Sequence, residues 1–287
     1  MSTRWTAWAA AVMVMVITRC VPAATHKAAD PAAQLVREVV ANELNDHAQH
    51  GLWSYWIASK GDDGRSLREQ IETEDGPVSR LLARDGHGLS EDAEQAEEDR
   101  LRDLAQSESA QARRKQSYEE DQKRIVRILS LLPDAFLFED AGTAGGQRKL
   151  KFRPNPSYKA HSIESRIFHA MQGELLLDTK QKRLIRLEGR LCENVDFGFG
   201  LLGRLDKGGW FLMERAAVSP TEWKTVRLEI HMSGRALLVK SIARETSETR
   251  GGFTEVPTGL TAEQAAELLT NPSTAAAMVP ARFTNRP

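Results

Sequence analysis

Cysteine is nearly absent. Cys20 and Cys192 are the only two in 287 residues. If the first leaves with a cleaved leader, the second has no partner, and an intramolecular disulfide framework is excluded. An excess of positive charge is also missing. Lysine and arginine total 39 against 40 acidic residues, a net charge of -1, and neutralising a phosphate backbone needs the opposite balance. Nucleic acid is therefore not expected as a partner. Long apolar runs are absent too. The stretch from Trp5 to Ile17 is too short to span a bilayer comfortably and has the length of a signal-peptide core. Residues 1–24 are read as that signal, with Val21 and Ala23 small enough for a signal peptidase. Arg19 beside Cys20 argues against an acylated cysteine. The expectation is a periplasmic or secreted product with no stable membrane span after cleavage.

The usual signatures of chemistry are missing as well. There is no GxSxG nucleophile elbow. His47 and His50 form an HxxH pair with no further ligands close by, so no metal site is expected. The one nucleotide-like motif, Gly198-Phe199-Gly200-Leu201-Leu202-Gly203, is followed by RLDKGGWF. A dinucleotide fingerprint needs a helix there, and Gly208-Gly209 would break one. A bulged hairpin is the expected structure, with no cofactor and no enzymatic activity.

What the chain does contain is β-pattern. Asp30-Pro31 opens a helix carrying Leu35, Val36, Val39, Val40 and Leu44 at helical spacing. LWSYWIAS, SLREQIETED and PVSRLLARDG follow as strands, with Asp-Gly pairs in the turns. Trp53, Tyr55 and Ile57 share one face of the first. Residues 90–130 interrupt this as a charged helical insertion, expected to be mostly solvated, with Ile125, Ile128, Leu129 and Leu132 amphipathic at its end. From Phe136 onward AFLFED, RKLKFRP, ESRIFHAMQG, GELLLD, RLIRLEG, VDFGFGLLGRL, GGWFLMERAAV, EWKTVRLEIHM and RALLVKSIARETSET read as an antiparallel meander. TAEQAAELLT reads as a helix, and residues 271–287 as a flexible tail. The fold expected is α+β: one β-rich domain over residues 30–270.

The apolar faces of these strands supply the candidate site. In the hairpin, Leu175 and Leu177 alternate with Glu174, Leu176 and Asp178, and Ile185 and Leu187 alternate with Arg186 and Glu188. With Trp210, Phe211 and Trp223 they are the candidate wall of an apolar cavity. The competing expectation is a packed core.

The signal peptide, the N-terminal helix, the meander and the pattern Gly173-x-Leu-x-Leu-Asp178 followed by Leu184-x-Arg-Leu-Glu188 resemble the LolA/LolB/RseB-like superfamily of bacterial envelope proteins. The stretches FRPNPSY, VDFGFGLLGRL and KGGWF resemble uncharacterised secreted proteins of that fold. The resemblance spans roughly residues 50 to 85 and 136 to 250. It implies a strongly curved antiparallel half-barrel with helices over its concave side and an apolar cavity for a lipid or a lipoprotein acyl chain. It also implies a place in envelope lipoprotein or lipid trafficking, possible envelope protein partners, and no residue-level role at any numbered position. Two alternatives stand beside it: an envelope scaffold with a filled core and no ligand, and a hydrolase with an unrecognised site.

Overall fold

A computed structural model describes residues 30–49, 51–197, 203–236 and 240–270. The signal segment, Cys20, His50, Gly198, Gly200 and the tail lie outside the described residues. The fold is α+β, with thirteen strands and five helices among the described residues. In chain order these are α1 Pro31–Gln49, β1 Leu52–Gly61, β2 Gly64–Ile71, β3 Val78–Arg84 and β4 His87–Gly88. Then come α2 Glu91–Gln106, α3 Glu108–Ala135, β5 Phe136–Ala144, β6 Gln147–Pro154 and α4 Ile163–His169. The rest are β7 Met171–Asp178, β8 Arg183–Leu191, β9 Val195–Phe197, β10 Gly203–Leu205, β11 Trp210–Ala217, β12 Trp223–Ala236, β13 Lys240–Val256 and α5 Ala262–Thr270.

All strands join one open antiparallel sheet in the order β4-β3-β2-β1-β13-β12-β11-β8-β7-β6-β5, with β9 and β10 paired beside the end of β12. Directly opposed residues of antiparallel strands share a face, so the register traces rows across the sheet. One row runs Phe138, Phe152, Gly173, Gly189, Phe211, Ile230, Thr246. The row beside it runs Leu150, Leu175, Leu187, Met213, Leu228, Glu248, Ser59. Val36, Val39 and Val40 of α1 pack on this face, as do Leu129 and Leu132 of α3 and Ile167 and Phe168 of α4. The opposite face of the central strands carries an ion ladder. Arg186 pairs with Glu188 and Glu214, and Arg227 with Glu214 and Glu229, at 2.7–3.5 Å. That face is wet.

A second core lies elsewhere. Leu52, Ile71 and Val78 pack with Leu101 of α2 and with Ala262, Ala265, Ala266 and Leu269 of α5. By register, Ser54 opposes Ile71 and Ala58 opposes Leu67, whereas Ile57 and Ser59 point to the first core. The two cores therefore sit on opposite faces at opposite ends of the sheet. The charged segment is mostly solvated as its sequence suggests, but Leu101 is fully buried, so α2 belongs to this second core.

Polar groups inside the second core fasten it. Arg80, buried on β3, donates to the Leu269 carbonyl at 2.6 Å and lies 3.6 Å from Glu94 and Glu98. Directly opposite it on β2, Glu69 is 2% exposed. Burial raises its carboxyl pKa, and the charge of Arg80 opposes the shift. A carboxyl raised in the folded state favours folding fully below its unfolded pKa of about 4.3, and that contribution is lost as pH rises through the folded value. Glu69→Gln, which does not titrate, is expected to gain stability relative to wild type across that window. Urea midpoints of the two proteins between about pH 4 and 7 measure the difference, and parallel curves would refute it.

ESRIFHAMQG corrects the sequence-based strand. Ile163–His169 is a helix because Ser162 and Ser165 form a reciprocal capping box, with Glu164 in the first turn and Arg166 and His169 in the last.

Candidate functional site

The long helix α3 stands on two feet. Near its start, Arg114 donates to the carbonyls of Gly76 and Pro77 at 2.8 and 2.9 Å, and Lys115 pairs with Asp75 at 2.8 Å. The ring of Tyr118 lies so close to Gly76 that a Cβ there would come within 2.9 Å of it. These residues belong to the turn between β2 and β3. Near its end, Leu129, Leu132 and Ala135 join the first core. Between the feet, residues 119–127 are exposed except for Gln122. Ile125 is 41% and Val126 40% exposed. An amphipathic helix lying on a sheet would bury one stripe continuously. Here the middle is unsupported.

The sheet face that carries the first core is not packed throughout. Leu150 and Leu177 are almost fully buried, while Leu187, Met213, Leu228, Phe211 and Ile230 are half-buried. Toward β13 and β1 the same face turns polar. Arg250, opposite Ile57, pairs with Glu248 at 2.8 Å. Tyr55 packs against Phe253 in a tilted pair at 4.9 Å and accepts from Gln70 at 2.5 Å. Burial, with Glu72 adding, pushes its hydroxyl far up, and the Tyr118 hydroxyl rises for the same two reasons. The face thus grades from closed core, through half-buried aliphatic side chains, to a neutral and ion-paired polar end.

Helix α1 is clamped to its part of this face. Glu43, 7% exposed, forms an ion pair with Arg215 of β11 and accepts the Leu184 amide at 3.3 Å. Arg215 also donates to the Trp223 carbonyl at 2.5 Å. Burial lowers its guanidinium to about 10, still cationic at neutral pH. Asp46 holds Arg183 through two contacts of 2.6 and 2.8 Å.

The seven residues read from the sequence are only partly brought together. Leu175 and Leu177 lie inside the packed core, Leu187 and Phe211 line its half-buried margin, and all four share one face. Ile185 is the extra residue at a bulge, and Leu184 takes the buried position opposite Leu177. Trp223 opens β12, and its indole donates to Gln181 in the turn between β7 and β8 at 2.8 Å. Trp210 faces the other way. It stacks on His231 with ring centroids 6.1 Å apart, in a groove of about 280 Å³ that includes Lys60, Asp62 and Glu245. Sequence reasoning missed Leu228, Met213 and Ile230. Their alternation in TVRLEIHM was a usable signal.

Gly203 pairs with Phe197 and Ala236, and strand follows strand on both sides of the glycine motif. No group of three potential ligands able to hold a metal occurs among the described residues, and no described helix is long and apolar enough to cross a membrane. Cys192 is a half-buried free thiol. No protein-family model matches the chain, and no curated protein matches it.

Proposed function

We propose that this is an exported, non-enzymatic envelope protein that holds a lipid or acyl chain against the half-buried apolar strip of β8, β11 and β12, beneath α3. The carrying observation is the two-footed helix with an unsupported middle. It also supports the curved half-barrel implied by the family resemblance. From Tyr118 to Ala135 is seventeen residue steps, about 26 Å at ~1.5 Å per step. The feet are separated by at least eight inter-strand steps, about 38 Å on a flat sheet at ~4.8 Å per step. They also lie near opposite strand ends, which widens the flat distance. A straight helix reaches both only if the sheet bends toward it. Curvature of that kind makes a trough, and α3 crosses its mouth.

Acyl chains suit such a strip because each methylene removed from water contributes about 0.8 kcal/mol. The polar end formed by Arg250, Glu248 and Tyr55 suits a head group. The filled-core scaffold keeps one observation in its favour, the close packing of Leu175 and Leu177. Titration with a fluorescent fatty acid separates the two. Wild type is expected to bind saturably, and Leu228→Glu to lose at least about tenfold in affinity, since a charge in an apolar site is strongly disfavoured, while still unfolding cooperatively. No saturable binding by wild type would leave the filled core.

A further inference from the structure

We propose that the exposed middle of α3, together with the start of α4, is a docking surface for an anionic lipid bilayer. Three aliphatic side chains stand out of the protein here: Ile125 and Val126 on α3, and Ile163 on α4, which is 53% exposed. The two helices are in contact, and Arg127 and Arg124 both favour the charged form of the Glu164 carboxyl.

Beyond Asp121, the charges on this part of α3 are of one sign. From Lys123 to Pro133, α3 carries Lys123, Arg124 and Arg127 and no acidic residue. Arg166 adds a fourth cation from α4. Lys123, Arg127 and Arg166 make no ion pair among the described residues. Arg124 reaches Asp121 at 3.4 Å, with both side chains 60% exposed, a weak attachment in water. The one nearby acid on α4, Glu164, lies in the first turn of that helix, and its own backbone amide and the Ser162 hydroxyl hold its carboxyl pKa below the usual value. The acids Glu119, Glu120 and Asp121 lie a turn back toward the other foot.

The residue types favour a membrane over a protein. Protein interfaces concentrate much of their affinity in buried aromatic anchors set in pockets, whereas the apolar residues of this patch are aliphatic and exposed. Short aliphatic side chains that enter the head-group layer, ringed by cations that meet lipid phosphates, form an interfacial anchor. Each such cation is worth about fivefold in binding to an anionic surface, and the attraction falls with salt.

The inference does not depend on acyl-chain uptake. The test is co-sedimentation of the full chain with phosphatidylglycerol/phosphatidylethanolamine vesicles and with phosphatidylcholine vesicles. Wild type is expected to prefer the anionic vesicles and to release with added salt. Ile125→Glu combined with Val126→Glu, and Lys123→Gln combined with Arg127→Gln, are each expected to weaken that binding at least tenfold with unchanged thermal unfolding. Ile163→Ser, on the other helix, gives an independent reading should either double variant misfold. Solution uptake of the fluorescent fatty acid, measured without vesicles, should be unchanged in Ile163→Ser, whose side chain lies off α3. Equal binding of wild type to both vesicle types, or wild-type binding by the variants, as would follow from docking through another segment or a purely proteinaceous partner, overturns the proposal.

Discussion

Gly173→Ala is expected to cost about 3 kcal/mol or more, the upper end of what overpacking imposes. A Cβ at this position would lie 1.9 Å from the carbonyl oxygen of Glu188 and 2.8 Å from the ring of Phe152. The carbonyl is backbone of the paired strand, so relief requires β7 and β8 to part. Gly189, directly opposite, provides the control. A Cβ there meets Phe211 at 2.4 Å and the Met171 sulfur at 2.9 Å, both side chains that can turn away. Gly189→Ala should therefore cost less, about 1–2 kcal/mol. Urea denaturation of the two variants measures the ordering, and equal costs would mean that the strands accommodate a methyl group between them. Two facing glycines flanked by phenylalanines also mark a place where the pleat can bend sharply.

Glu43→Ala should be the other severe substitution, at roughly 3–5 kcal/mol. It strands the guanidinium of Arg215 without its counter-ion and leaves the Leu184 amide without its acceptor. Arg215→Met removes the opposite partner and should cost a similar amount. The combination Glu43→Ala with Arg215→Met is expected to fall well short of the sum, because most of each single cost is an uncompensated buried group. Additive costs would show that the two side chains do not share their environment. The pair also bears on how the site could open. A helix held by Glu43 and Asp46 is poorly suited to move, so under the proposed function access to the apolar strip would fall to α3.

Local pattern made the strands legible, and long-range pairing hid much of the rest. Alternation in GELLLD and RLIRLEG located β7 and β8, yet it put Ile185 in line with Leu187. The bulge opposite Leu176 and Leu177 gives the inward place to Leu184, and a single extra residue reverses a pleat without any signature in composition. α4 was hidden for a different reason. Its seven residues are too few for a helical stripe to stand out, and its start depends on two serine hydroxyls meeting backbone amides. Trp210 and Phe211 had to point to opposite faces, but which one joined Leu187 depended on β8 pairing with β11 across the intervening β9 and β10. The span of α3 was least legible. Its near foot rests on Arg114, Lys115 and Tyr118, positions that look like ordinary solvated helix until Gly76 is found beneath them.

The place of β13 sets the order in which the protein can be assembled. This strand, complete only at Val256, lies between β1 and β12 and joins the N-terminal hairpins to the long meander. Until it has emerged, the chain consists of two separate β-structures, each ending in an unsatisfied edge, and such edges recruit other strands. Closing contacts that span some two hundred residues, Leu52 with Val256 among them, is entropically slow. If the protein is exported, as proposed, that arrangement would suit it, because the sheet cannot lock before β13 has emerged.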